Sequence, residues 1–183
     1  MLAAGGTQKQ RRLCIALEPG AEFLGNLPGT SIALTFRMPG LPNADITAAV
    51  IGAFFDLWKE LGHGFSEHVY RRALCILLRE RGLIAVEEQH VFVDYHGHRI
   101  GTFRVDISVW NTTGGRVLVE VKAGGDIDGR DDAQILNYLK CAGGGVGILL
   151  SFGRDPKHKR FVMGDPAANL PNLAPPPGCM DPG

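Results

Sequence analysis

The chain has 183 residues, 45% hydrophobic and 21% charged, which suits one ordinary globular domain with a real core and flanking segments. Nineteen basic residues balance nineteen acidic ones, so the zero formal charge excludes a global pull toward nucleic acid or an anionic membrane and leaves only local patches. Cys14, Cys75, Cys141 and Cys179 are far apart without paired spacing, which argues against a zinc site or disulfide framework and for reduced thiols in a cytoplasmic protein.

Residues 1–43 contain GG, EPG, LPG, MPG and LPN with no sustained period, the composition of a flexible Gly/Pro-rich extension. Its basic residues Lys9, Arg11 and Arg12 precede LCIAL, too short for a signal-peptide core, and no run approaches the ~18 apolar residues of a membrane helix. Met38, just before the first regular element, is a candidate natural start. After Asp45, the residues Ile46, Val50, Phe54, Leu57, Trp58 and Leu61 fall on one helical face, and Gly62 stops the helix. Ser66 is placed to cap a second helix whose stripe is Tyr70, Ala73, Leu74, Leu77 and Leu78, ending at Gly82. Three strand-like runs follow: HVFVDYH, ending at a turn around Gly97-His98, then RIGTFRVDISVW, then RVLVEVKA after NTTGG. They predict an antiparallel meander. A third helix is expected from about Asp131 to Cys141, with Ile135, Leu136 and Leu139 inward and GGG as its stop. VGILLSF has the pattern of a buried strand and KRFVM that of an edge strand. Residues 164–183, with APPPG and DPG, suit a flexible tail. The order α-α-β-β-β-α-β-β implies an α/β (α+β) domain over residues 44–163, with one mixed sheet and helices packed on its faces.

Two carboxylates and a lysine interrupt the valine-rich meander. Strand alternation puts Val117, Val119 and Val121 on one side of the sheet and Leu118, Glu120 and Lys122 on the other. If the NTTGG loop closes symmetrically about Thr113, Asp106 stands opposite Glu120, and Arg104 opposite Lys122. Paired carboxylates with Cβ atoms ~5 Å apart destabilise a sheet unless a cation sits between them. Two kinds of cation are open. Lys122 or Arg104 can supply a salt bridge, or a hard divalent ion such as Mg²⁺ can bind, keeping several waters and using substrate phosphate to complete its shell. In the second case Lys122 is placed to orient or help deprotonate the attacking water in phosphodiester hydrolysis.

Asp106, a short gap, then Glu120-Val-Lys122 resembles the catalytic signature of the PD-(D/E)XK nuclease superfamily. GFSEHVY, with Gly64, Glu67 and Tyr70, matches the motif of the bacterial GxxExxY protein family. ITAAVIGAFFDLWKELGHG is similar to that family's first helix, and AQILNYLK to its post-strand helix. The resemblance covers roughly residues 45 to 163, leaves both Gly/Pro-rich ends outside, and implies a restriction-endonuclease-like core. It implies a Mg²⁺-dependent nuclease, with Mn²⁺ able to substitute, acting on DNA or RNA, and a superfamily whose subunits often pair, so a homodimer is among the expectations. Carried over residue by residue, Asp106 and Glu120 are the main metal ligands with Glu67 assisting, and Lys122 is the catalytic lysine. Gln134, with Tyr138 at RecB-type spacing, lines the site from the third helix. The family usually has proline where this chain has His63, which argues against a catalytic histidine there. The alternative is a nuclease-fold module that binds nucleic acid or a protein partner without turnover.

The remaining candidates are weaker. Arg71-Arg72, Arg79-Arg81 and the run Lys157, His158, Lys159, Arg160 are the basic clusters available to nucleic acid, the last being favoured, with Arg104 and Tyr138 as further contacts. Glu67 precedes Arg71 by one turn, so an exposed ion pair competes with a role in the site. His96 and His98 suit an exposed turn, and Cys75 a small buried hydrophobe.

Overall fold

The structure, a computed structural model, describes residues 41–164. The expectations for the two Gly/Pro-rich ends, for Met38 and for Cys14 and Cys179 therefore lie outside the described residues. The observed elements are α1 (Ala44–Leu61), α2 (Glu67–Glu80), β1 (Ile84–Tyr95), β2 (His98–Trp110), β3 (Arg116–Lys122), α3 (Gly129–Cys141), β4 (Gly145–Ser151) and β5 (Lys157–Met163). They form one five-stranded sheet in the order β1-β2-β3-β4-β5, antiparallel except for the parallel β3–β4 pair that α3 connects. This is the mixed sheet with an antiparallel meander that the apolar periodicities imply.

Two cores cover its faces. Ile46, Val50, Phe54 and Leu57 of α1 and Tyr70, Leu74 and Leu78 of α2 pack on Val117, Val119, Val121, Ile148 and Leu150. Ile135, Tyr138 and Leu139 of α3 pack on Leu118, Leu149 and Phe161 of the other face. Helix α3 lies so close to β4 that a Cβ on Gly147 would come within 2.7 Å of Ile135 Cγ1, a contact no side chain tolerates unmoved. The start of α3 is a capping box: Asp128 accepts from the backbone N–H groups of Arg130 and Asp131, and Asp131 returns a bond to the Asp128 N–H. Ser66 does occupy the N-cap position of α2, but its side chain makes no capping bond.

β1 begins at Ile84, ahead of the HVFVDYH run, because Glu87 and Glu88 hide its period. Those two glutamates mark a change of face. Ala85 and Ile107 pack with α1 and α2, whereas Val91 and Val105 pack with α3, although their parity should place all four on one side. The reversal centres on Glu88, which has a φ of 55° and stands opposite Asp106 between the Glu87–Ile107 and Gln89–Val105 pairs. Beyond this point β2 parts from β3.

Candidate functional site

The β2–β3 register runs from Trp110–Arg116 to Ile107–Val119, as closure about Thr113 predicts, and then ends. Asp106 and Glu120 fall at the fork. Instead of continuing the ladder, Asp106 turns its carboxylate to β3, where Oδ2 accepts the Val121 N–H at 2.9 Å. Glu120, only 3% exposed, points to the α3 face with its Oε1 accepting from Lys122 Nζ at 2.9 Å and Gln134 Nε2 at 2.6 Å. Lys122 Nζ also donates to Gln134 Oε1 at 3.1 Å and faces Asp131 at 3.5 Å. Gln134 donates in turn to the Tyr138 hydroxyl at 2.5 Å, and that hydroxyl donates to the Arg104 carbonyl at 3.2 Å. Glu67 heads α2 at the same end of the sheet, where it is exposed and its Oε1 accepts the Ala123 N–H at 3.4 Å.

The sequence GFSEHVY shapes this corner. Gly64 has a φ of 108°, a conformation open to glycine and strained for other residues. The buried Tyr70 closes the turn: its hydroxyl donates to the Gly62 carbonyl at 2.9 Å and accepts from the Phe65 N–H at 3.2 Å. Its ring stacks on Phe152 at 4.1 Å. Glu67 is thereby held one turn before a fixed anchor.

Electrostatics set Glu120 apart. Burial, then the neighbouring Asp106 charge, push its carboxyl from the usual 4.5 up to about 7, against the pull of Lys122. Burial also raises Asp106, opposed by the Val121 N–H and the Arg71 charge. For Lys122 burial acts downward, but the bond to Glu120 and the surrounding carboxylates outweigh it and leave the ammonium above its ordinary range. One oxygen of Glu120, Oε2, is buried with no hydrogen-bond partner. A buried, unpaired carboxylate oxygen beside a second carboxylate suits a hard divalent ion, which takes oxygen ligands. Among the described residues, no three His, Cys, Asp or Glu side chains are grouped to hold an ion by themselves.

Lys122 supplies the expected salt bridge to Glu120, whereas the ion pair to Asp106 comes from Arg71, a residue placed by sequence in a surface cluster, and not from Arg104. Arg71 is only 9% exposed and reaches Asp106 Oδ1 at 3.6 Å, Glu87 Oε2 at 3.4 Å and Glu88 Oε1 at 2.8 Å. Its spacing to the buried Cys75 and Leu78 (i+4 and i+7) was the available signal that it faces inward. Among the described residues, Arg71 forms its ion pairs with these three acids and not with Glu67.

The nucleic-acid candidates divide. Arg104 is 63% exposed and pairs with Glu88 at 3.6 Å. Tyr138 is 3% exposed, so it supports Gln134 from below and offers no surface to a polynucleotide. The basic run of β5 is split by strand alternation and already engaged: Lys157 pairs with Asp126, Lys159 with Asp132 at 3.0 Å, and Arg160 donates to the Pro42 carbonyl at 2.7 Å. Arg79 donates to the Ala85 carbonyl at 2.7 Å and Arg81 to Asp56 at 2.7 Å, so these charges also have partners within the chain. His96 and His98 are exposed at the β1–β2 turn. Cys75 is buried, which lifts its thiol to about 12.

A family model described as the PD-(D/E)XK nuclease superfamily matches residues 44–161, more than half of the chain. The chain belongs to that superfamily. A solved structure described as "Crystal structure of SSO0001" is similar to this PD-(D/E)XK chain at 17% identity and a TM-score of 0.42, covering 57% of this chain and 54% of that one. The present chain thus spans about half the length of that protein. No curated protein matches the sequence. The superfamily is generally one of nucleases that use divalent metals, and the Asp106, Glu120 and Lys122 positions of this PD-(D/E)XK domain lie together at the β2–β3 fork. Among the described residues, no helix is long and apolar enough to cross a membrane.

Proposed function

We propose that this domain is a Mg²⁺-dependent nuclease of the GxxExxY type, with Mn²⁺ able to substitute, that hydrolyses DNA or RNA phosphodiester bonds. The observation that carries the reading is the orphaned Oε2 of Glu120 beside Asp106, with Lys122 and Gln134 fixed on the other oxygen. Asp106 and Glu120 would hold the ion, with Glu67 assisting from the α2 terminus. The ion, when bound, supplies Lewis-acid polarisation of a phosphoryl oxygen and neutralises its charge.

The chain's own groups do the rest. Lys122 keeps its proton in this setting, so it acts as a donor that orients the attacking water or binds charge developing on the phosphate, not as a proton acceptor. Gln134 bridges Lys122 and Glu120 and, braced by Tyr138, holds both in place. The buried Tyr70 fixes the turn that presents Glu67, which supports the GxxExxY reading. Arg104, whose side chain is 63% exposed, is a basic candidate for contact with substrate phosphate. Free Cys75 and Cys141 are compatible with a reduced, cytoplasmic setting.

A second reading, a nuclease-fold module that binds without turnover, is favoured by one observation: Lys157, Lys159, Arg79 and Arg81 of the candidate basic clusters already have partners within the fold. The test is Mg²⁺-stimulated cleavage of single-stranded, double-stranded and branched substrates by the wild type beside Lys122→Ala. Cleavage that Lys122→Ala abolishes without unfolding the domain supports the nuclease. Metal-dependent binding with no cleavage of any substrate supports the module.

A further inference from the structure

Asp106 has to present its carboxylate where β2 parts from β3 while remaining paired with β1. Two contacts hold it. Oδ2 is tied to the Val121 N–H, and Oδ1 faces Arg71 Nη1 at 3.6 Å. Arg71 comes from α2, whose own first residue is Glu67, so it links the two elements that carry acids of the site.

The guanidinium is itself held in four places. Nε donates to Glu87 at 3.4 Å, Nη2 donates to Glu88 at 2.8 Å and meets His68 Nδ1 at 3.1 Å, and Nη1 faces Asp106. Arginine is suited to this because its planar fork can meet several acids at once, where an ammonium would satisfy one or two. A mostly buried guanidinium needs such compensation, since an unpaired buried charge is strongly destabilising.

Glu88 shows that the arrangement is imposed. Its φ of 55° in the middle of a strand is a left-handed conformation that costs a non-glycine residue about 1–3 kcal/mol. It stands directly opposite Asp106, where β1 and β2 change face. The twist places the Glu88 carboxylate on the fork of Arg71, and Arg71 on Asp106.

We infer that Arg71, anchored by the strained Glu88, is a positioning residue that sets the Asp106 carboxylate for a divalent ion. The inference rests on the metal-dependent reading of the site. Arg71 touches neither substrate nor metal in this role. It acts through Asp106.

Calorimetric titration with Mn²⁺ tests it, each variant being run beside its unfolding curve. Arg71→Lys preserves the charge and loses the fork. Glu88→Gly removes the anchor, and its relief of the left-handed backbone offsets part of the lost ion pairing. Glu88→Gln removes the charge and keeps an acceptor for Arg71. The expected result is Mn²⁺ affinity weakened by about tenfold or more in Arg71→Lys and Glu88→Gly, the usual scale for losing a partner behind a metal ligand, and changed much less in Glu88→Gln. Wild-type affinity in a folded Glu88→Gly protein would overturn the inference and leave the metal site standing. Absence of Mn²⁺ binding by the wild type would overturn both.

Discussion

Glu120 makes the metal-free domain pay for its own site, and the cost can be read from pH. Its carboxyl is raised from 4.5 to about 7 in the fold. At about 1.36 kcal/mol per pH unit this is on the order of 3 kcal/mol, an upper figure because Asp106 shares the charge. The sign follows from proton linkage: a group whose folded value is raised contributes stability fully present below 4.5 and lost as the pH climbs through about 7. Glu120→Gln cannot ionise and should not show the loss. We therefore expect urea unfolding in EDTA to give a wild-type stability that drops between pH 5 and pH 8 by roughly 1–3 kcal/mol more than that of Glu120→Gln. Comparing the difference between the two proteins cancels the carboxylates they share. In thermal melts the gap corresponds to roughly 2–4 °C per kcal/mol. Mg²⁺ added at pH 8 should restore the wild type and leave Glu120→Gln unmoved, since ligand binding to the native state stabilises it by mass action. Equal pH slopes in the two proteins would refute the reasoning, because Glu120 would then be ordinarily solvated or neutralised in the fold.

Other outcomes follow from named contacts. Tyr70→Phe keeps the stack on Phe152 but removes both hydroxyl bonds at the Gly62–Phe65 turn, and should cost about 1–3 kcal/mol in urea unfolding. Gly147→Ala should cost about 1–3 kcal/mol, since the new methyl meets Ile135 where α3 crosses β4. Asp128→Ala removes the capping box of α3 and should cost about 1 kcal/mol; an unchanged midpoint would mean that the cap is idle.

Much of the architecture is written locally. The NTTGG loop between two valine-rich runs sets the register of β2 and β3, so the convergence of Asp106 and Glu120 at one fork can be counted from the sequence. The same alternation puts Lys122 with Glu120 on the α3 face, and helical spacing brings Gln134 to them. What could not be counted depends on partners distant in sequence. Arg71 resembles a surface residue until Glu87, Glu88 and Asp106 are folded against it. The first half of β1 is hidden for the same reason, since two adjacent glutamates break the period of the strand and find their partner in Arg71, distant in sequence. The basic run of β5 reads as one patch in sequence, yet alternation sends Lys157 and Lys159 toward Asp126 and Asp132 and leaves Arg160 to the Pro42 carbonyl. Tyr138, expected as a nucleic-acid contact, instead buries its ring and accepts from Gln134, which removes it from any substrate surface.

Divalent-metal calorimetry on the wild type beside Asp106→Asn bears most directly on the central claim, because the substitution keeps size and removes the ligand charge. Saturable Mg²⁺ or Mn²⁺ binding in the wild type, weakened severely or lost in Asp106→Asn, is the result expected if Asp106 and Glu120 hold one ion. Identical isotherms for the two proteins, or a flat wild-type trace, would contradict the account and leave the fork as a network of buried ion pairs.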